Sequence, residues 1–313
     1  MVIYREFKEL KDVSSPVHWA MGMFDGVHLG HRAVLHAAAA HKAEGLLPAV
    51  FTFSAPSISY KQHRQVQFLY TDAQKQQLLA AQGMELIYSP LFPEIAPLTG
   101  EDFSARILRD LLRAQVVVCG EDFRFGKNAA WGTGELIRLG QSHGYRVVCI
   151  PPVQLEGERV SSRRIRQLLA DGHPEAAARL LGGDYRIGGI VEHGNQLGRT
   201  MGFPTLNQFF TPGQCTPRFG VYASVAYPEG SPVPAVTNIG MRPTIGDTSC
   251  PIGETYILDW EGTLYGRDIP VALKAFLRPE QRFDGIAALS RQLARDIAAA
   301  RDYGAKHQQE EQQ

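Results

Sequence analysis

From its first residues to about residue 182 the chain alternates short apolar, β-branched runs with longer stretches of helical periodicity. VHWAMGM (17–23), PAVFTF (48–53), MELIYS (84–89), VVVCG (116–120) and YRVVCI (145–150) are separated by helical patterns over HRAVLHAAAAHKAEG, from Asp72, near 101–113 and near 134–143. Strands that alternate with helices pair in parallel and are covered on both faces, so this half is expected to be a Rossmann-like α/β domain. Two closing helices with glycine stops are expected over 161–170 and 174–183. Beyond Gly183 the texture changes. Glycines crowd 188–202, and strand-like runs near 219–227, 233–240, 253–260 and 264–277 follow between turn residues, the pattern of an antiparallel β-barrel. From Phe283 to Tyr303, Ile286, Leu289, Leu293 and Ile297 recur at helical spacing, so a terminal helix is expected to pack on the barrel. The expected organisation is a domain over 1–183, a second over 184–306 and a polar tail over 307–313.

Composition narrows the function. Lys plus Arg and Asp plus Glu are 32 each in 313 residues, which removes the basic surplus of a nucleic-acid binder and favours small-molecule partners. The four cysteines (Cys119, Cys149, Cys215, Cys250) form no CxxC pair and have no zinc spacing, as in a reducing compartment. The opening MVIYREFKELKD has no apolar h-region and no run of 18 apolar residues occurs, so a cytoplasmic protein that neither spans nor binds a membrane is expected.

Four stretches carry chemistry. In MGMFDGVHLGHRAVL a strand ends at Gly22 and a helix begins near Gly30, at the carboxyl edge of the sheet where ligands bind. There His28 and His31 can donate to phosphate oxygens beside unpaired helix N–H groups, and Gly30 lets a phosphate approach the backbone. GEDFRFGKN (120–128) misses the P-loop spacing and GTGELI (132–137) lacks the third glycine of a dinucleotide loop, yet Asp122, Phe123 and Lys127 follow a strand at the same edge. ERVSSRRIR (158–166) opens a helix with Ser161 and Ser162, either of which can serve as its cap, among four arginines able to hold a triphosphate. In IGGIVEHGNQLGRTMGFPTLN (187–207), glycine turns can close over phosphates, and Thr205 and Asn207 share one face of an extended segment as a magnesium corner.

Together these segments resemble the bacterial bifunctional riboflavin kinase/FAD synthetase family over almost the whole chain. GMFDGVHLGH, CGEDFRFGKN and part of ERVSSRRIR match its adenylylating half; HGNQLGRTMGFPTLN, FGVYA, TNIGMRPT, ETYILDWEGTLYG and FLRPEQRFDGIAAL match its kinase half. The resemblance implies that the first half transfers AMP from ATP to FMN, giving FAD and pyrophosphate. Gly22, Asp25, His28, Gly30, His31 and Asp122, with Arg159, Ser161, Ser162 and Arg166, would then bind ATP. It implies that the second half phosphorylates riboflavin with Glu254 as base and Thr205 and Asn207 on Mg²⁺. Gly189, His193, Gly194, Gly198, Arg199, Gly202 and Pro204 would form the ATP lid, and Arg278 would meet the flavin.

The chain departs from the family pattern at Ser54 and Ala55, where an acidic residue and a proline-rich continuation are usual, and at Arg163, where Thr is usual. These departures keep open a monofunctional riboflavin kinase with an inactive first domain. The sequence is also compatible with a non-catalytic flavin-binding protein, and its first half with a nucleotidyltransferase for another phosphorylated metabolite.

Overall fold

The computed structural model describes residues 2–4, 17–40, 42, 45–54, 67–194, 203–243 and 249–310. By its contacts the chain divides into two compact units, Met1–Ser162 and Arg163–Gln313.

The first unit is a six-stranded, wholly parallel sheet. β1 (Val2–Tyr4), β2 (Val17–Met21), β3 (Leu47–Phe51), β4 (Leu86–Tyr88), β5 (Ala114–Gly120) and β6 (Arg146–Ile150) stand in the order β1-β4-β3-β2-β5-β6. The order steps outward from β2 in both directions, so the carboxyl ends of β2 and β5 flank a topological switch point. Alternate residues feed two cores. Trp19 and Met21 face one with Phe51, Tyr88 and Phe103; Ala20 faces the other with Val50, Ile87, Val118 and Leu35. The covering helices are α1 (Leu29–Ala39), α2 (Asp72–Ala81), α3 (Phe103–Leu111) and α4 (Thr133–His143). The α3 segment is wound as a π-helix, closing with Leu112 N–H on the Ile107 carbonyl at 2.8 Å. A two-stranded ribbon, β7 (Gln154–Leu155) and β8 (Glu158–Arg159), follows β6.

The helices α5 (Ser162–Asp171) and α6 (Pro174–Leu181) divide differently from the sequence expectation, which kept them with the first domain. Leu169 accepts the Arg218 N–H at 2.9 Å, and Gly172 lies against Arg218 and Phe276, so these helices pack within the second unit. Helical periodicity shows that a face is covered, not which sheet covers it.

The second unit is an antiparallel sheet of β9 (Arg186–Ile187), β10 (Leu206–Phe209), β11 (Gly220–Ala226), β12 (Val233–Pro243), β13 (Ser249–Ile257) and β14 (Val271–Arg278), in the order β10-β13-β12-β11-β14-β9. Its edges meet through the chain that leaves β9: Glu192 N–H bonds the Asn207 carbonyl of β10 at 2.9 Å, which curls the sheet on itself. Inside, Ser224, Thr237 and Thr255 pass hydroxyl hydrogen bonds of 2.8 and 2.9 Å from β11 through β12 to β13. Gln208 plugs the barrel, donating to the carbonyls of Gly189 and Ile269 at 2.9 and 2.7 Å. On the other face Val236, Val221 and Ala275 pack with Ile297 and Ala300 of α7 (Ile286–Glu310). That helix runs into the expected polar tail at residues 307–310, because Gln and Glu are good helix formers even without an apolar face.

Gly220 shows how tightly β11 meets β14. It has φ +147°, and a Cβ there would collide with the Arg278 carbonyl and the Phe276 ring. Gly220→Ala is expected to destabilise the second unit by about 2–4 kcal/mol, from backbone strain plus overpacking, read as a lowered denaturation midpoint with an unchanged m-value.

Candidate functional site

The switch point of the first unit opens into a cavity of about 810 Å³. The turn between β2 and α1 forms one wall. Phe24 and Val27 adopt positive φ of 49° and 44°, which non-glycine residues avoid, and the Phe24 ring lies where a Cβ on Gly22 would come within 3.2 Å. Asp25 braces this turn: Oδ1 accepts the Leu69 N–H at 2.7 Å, and its carbonyl accepts the Ser162 hydroxyl at 2.8 Å. Asp25 does not line the cavity, whereas Ser161 and Ser162 do.

His28 caps α1, its Nδ1 accepting the His31 N–H at 3.2 Å, so the neutral ring carries its proton on Nε2. The two imidazoles stack with centroids 3.6 Å apart, and a Cβ on Gly30 would press to 3.2 Å from the His28 ring. Burial pushes His28 down to about 4, with the Arg159 charge acting in the same direction. His31 is held well below the ordinary imidazole range by burial, then by His28 and Lys75. Both rings are therefore neutral at pH 7 and offer N–H groups rather than positive charge. Positive charge comes from Arg124 and Arg159, which line the cavity; Arg159 is paired with Asp122, and both side chains of that pair are more than half exposed, so phosphate oxygens can replace this carboxylate at little cost. Phe123 lines the cavity and Lys127 does not. Arg166 falls in the second unit. Phe53, Phe92 and Phe125 add an aromatic wall that no motif had announced, because isolated phenylalanines read as core.

In the second unit a cavity of about 540 Å³ opens on the sheet face covered by α7. Three residues cross its floor in one ladder row: Asn207 of β10 pairs with Glu254 of β13, and Glu254 with Asn238 of β12. Burial pushes the Glu254 carboxyl up; Arg242 and a hydrogen bond from Asn238 pull it down, and Glu280 adds a smaller upward push. Asn207 is 5 % exposed. Its Nδ2 donates to the Thr205 carbonyl at 3.2 Å, while its buried Oδ1 has no hydrogen-bond partner among the described residues. An orphaned carboxamide oxygen beside Thr205 suits a hard cation that takes neutral oxygens and keeps phosphate ligands. Among the described residues no cluster of three His, Cys, Asp or Glu offers a metal site.

Gly194 and Pro204 also line this cavity, and a Cβ on Gly194 would collide with the Asn207 carboxamide. His193 stands beside it, stacked on the cavity residue Tyr265 at 3.8 Å. Gly189 lies elsewhere, donating to Asp268 at 2.9 Å and accepting from the barrel plug Gln208. Gly198, Arg199 and Gly202 lie outside the described residues, as does Ala55. Arg278 lines the cavity with its guanidinium engaged, Nε and Nη2 on Asp296 at 2.9 and 2.7 Å and Nη1 on the Pro279 carbonyl at 3.1 Å, so it anchors α7. The stripe on that helix splits: Leu289, Leu293 and Ile297 line the cavity, and Ile286 is exposed.

Residues 10–164 match the family model for FAD synthetase, and residues 181–304 match that for riboflavin kinase. The bifunctional riboflavin kinase/FMN adenylyltransferase of Escherichia coli (strain K12) is 35% identical over 294 residues, covering 90% of this chain and 91% of the relative. The chain belongs to the bifunctional riboflavin kinase/FMN adenylyltransferase family. The Bacillus subtilis (strain 168) member is 33% identical over 302 residues, covering 94% of each chain. A crystal structure from Streptococcus pneumoniae, described as a macrolide-efflux protein, superposes with a TM-score of 0.84 at 28% identity, covering 96% of this chain and 98% of that one. Among the described residues no helix is long and apolar enough to cross a membrane. The two cavities thus fall one in each family match, the histidine turn in the FAD synthetase segment and the Asn207–Glu254–Asn238 row in the riboflavin kinase segment.

Substitutions at His28 and Glu254 test this geometry. His28→Asn keeps a capping side chain on α1 but removes the ring N–H, so it should preserve stability, whereas His28→Ala should cost about 1 kcal/mol through the lost cap. Both should abolish nucleotide binding in the first unit, read by ATP titration against thermal unfolding. Glu254 has a raised folded-state value, so ionising it opposes folding: the cost is absent below the unfolded value near 4.3 and is present in full once pH exceeds the folded value. Glu254→Gln should therefore raise the melting temperature at pH 8 and leave it nearly unchanged at pH 4.

Proposed function

We propose that this chain makes FMN from riboflavin and ATP in its second unit and FAD from FMN and ATP in its first. The observation that supports the kinase reading most strongly is a half-buried, upward-shifted carboxylate, Glu254, on a cavity floor beside the orphaned Oδ1 of Asn207.

A primary alcohol is a poor nucleophile until its proton has somewhere to go. Glu254 accepts the proton of the ribityl 5′-hydroxyl as the oxygen attacks the γ-phosphorus of ATP, and ADP leaves. Burial makes this carboxylate more basic than an exposed one, which brings its affinity for a proton closer to what the step requires. Asn207, with Thr205, would hold Mg²⁺, which when bound neutralises charge on the ATP phosphates. Trp260 and Tyr256 wall the same cavity and offer aromatic surface to a flavin ring.

The first unit needs no base of its own. A phosphate monoester has a second pKa near 6, so FMN arrives at pH 7 already carrying an ionised nucleophile. The work is charge stabilisation and alignment: an FMN phosphate oxygen attacks the α-phosphorus of ATP in line, and pyrophosphate departs opposite. The N–H groups at the start of α1, the His28 Nε2–H and Arg159 surround the place where that charge collects. The Phe53–Phe92–Phe123–Phe125 wall of the same cavity suits the isoalloxazine ring.

Product analysis separates the two activities. With riboflavin, ATP and Mg²⁺ the protein should give FMN and then FAD. Glu254→Gln should lose FMN formation by about 10²–10⁴-fold while still converting added FMN to FAD, and His28→Asn should do the reverse. FMN that accumulates in the unaltered protein without FAD would contradict the reading of the first unit; neither product would contradict both.

A further inference from the structure

The first unit holds a thiol pair that neither proposed reaction uses. β5 and β6 run parallel and in register, and Cys119 of β5 is the ladder partner of Cys149 of β6. Side chains at paired positions leave a sheet on the same face. Both accordingly enter one core, Cys119 as a fully buried member of the cluster that includes Leu136 and Leu139 of α4, and Cys149 packed against it; the preceding pair, Val118 and Val148, turns to the opposite core. β6 is the outer strand of the sheet, which leaves Cys149 half-buried and Cys119 closed off behind it. Among the described residues the other two cysteines have no thiol across a ladder: Cys250 pairs with Arg242, and Cys215 lies outside the strands.

The pair sits one residue short of the first unit's cavity. The next rung, Gly120 with Ile150, lines that cavity, and the Glu121 N–H closes on the Ile150 carbonyl at 3.0 Å. Asp122, Phe123 and Arg124 beyond β5, and Pro151 and Pro152 beyond β6, continue as its wall. Resting on the reading of the first unit given above, we propose that Cys119 and Cys149 form a peroxide-oxidised modification site, whose disulfide draws the ends of β5 and β6 together and suppresses FAD synthesis until a thiol reduces it. Adjacent strands lie about 4.8 Å apart, within the span of about 4.4–6.8 Å between Cα atoms that a disulfide bridges. A relaxed bridge also brings the two Cβ atoms to about 3.8 Å, whereas paired Cβ atoms stand side by side at nearly the strand spacing. Closure must therefore pull the two strands together at this rung, and the cavity wall begins at the next. A bridge that works against its own backbone is reduced more readily than a relaxed one, which makes the change reversible.

The order of events follows from exposure. The half-buried Cys149 gives up its proton, its sulfur attacks a peroxide oxygen, and the O–O bond breaks. Cys149 is left as a sulfenic acid, and the departing oxygen takes up a proton to become an alcohol, or water when the oxidant is hydrogen peroxide. Burial first, and neighbouring Cys149 second, push the Cys119 thiol up, so it stays protonated and inert towards outside oxidants. Its sulfur then attacks the sulfenic sulfur; the S–S bond forms, and the sulfenic hydroxyl leaves as water with the Cys119 proton. Two thiols and one peroxide give one disulfide, one alcohol and one water.

The test treats the full chain with hydrogen peroxide and then with dithiothreitol. Cysteine-containing peptides are mapped by mass at each stage, and FAD formation from added FMN is measured with FMN formation from riboflavin as the internal control. The expected result is a joined Cys119–Cys149 peptide, two hydrogens lighter than the reduced pair, with FAD formation lower by about 10- to 100-fold and FMN formation unchanged. Dithiothreitol should restore both the free thiols and the rate. Cys149→Ala should make FAD at the parent rate and keep that rate through peroxide treatment. Cys119→Ala should form no disulfide and hold the sulfenic acid on Cys149, read as a dimedone adduct; if this buried substitution does not fold, Cys149→Ala decides the matter by the criterion already given. Cysteines that stay unjoined, a disulfide that leaves FAD formation unchanged, or an equal loss of activity in peroxide-treated Cys149→Ala overturns the proposal. If the reduced protein makes no FAD, the reading of the first unit fails by itself. The peptide map, with ATP titration against thermal unfolding in the reduced and oxidised protein, then still decides whether the pair closes and reshapes the cavity.

Discussion

A carboxylate drawn partly out of water must be surrounded by groups that tolerate its charge, and the cavity of the second unit meets that requirement at Glu254. The closed sheet supplies it. The Glu192–Asn207 bond joins the two edges of the sheet, and in doing so sets β10 beside β13, so that Asn207 and Glu254 occupy one row. The same row continues to Asn238 on β12. Helix α7, anchored by the Arg278–Asp296 pair, then packs on this face and walls the cavity above the row. The barrel interior has its own hydroxyl chain through Ser224, Thr237 and Thr255, and the Asn207–Glu254–Asn238 row faces the cavity instead. Closure, burial and the upward shift of Glu254 are consequences of one topology.

On the proposed function, the two units meet phosphate by different physical means. In the first, the histidines are kept neutral by burial, and the helix start, the ring N–H groups and the cavity arginines Arg124 and Arg159 are the donors on offer to an anion. This spreads the stabilisation over many donors, which suits a nucleophile that arrives already ionised. In the second, the nucleophile must be made by removing a proton, and the structure concentrates its effort on the environment of one carboxylate. That division follows from the acidity of the two nucleophiles, a phosphate monoester and an alcohol, rather than from the folds that carry them.

Much of this architecture is legible in the sequence. The alternation of apolar runs with helical periods predicted the parallel sheet, since a strand buried on both faces has a continuous apolar signature, as in VVVCG. The turn residues and spacing predicted the barrel, but not its shortest strands. Arg186–Ile187 and Leu206–Phe209 are strands only because the closing register gives them partners. At the sites, the histidine turn and Thr205 with Asn207 stood out by local pattern. Glu254 was singled out by resemblance, as an isolated glutamate in a strand carries no signal of its own. Asn238 and the aromatic wall of the first cavity had none either: their meaning lies in cross-strand register and in a cavity assembled from distant segments. The helices over 162–181 show the converse, where a strong local signal fixed the elements correctly but not the unit they cover. Capping and burial also changed the chemistry of His28, since its Nδ1 is spent on α1 and only Nε2–H remains for a ligand.

The proposed base Glu254 is half-buried, and its surroundings make its carboxyl more basic. The most direct test is a carbon-13 NMR titration of the glutamate carboxyl groups in the full protein, with Glu254 assigned by the signal missing from Glu254→Gln. The account predicts a midpoint clearly above the ordinary glutamate value near 4.3. A midpoint at or below that value would contradict it, because the carboxylate would then be solvated like any surface group.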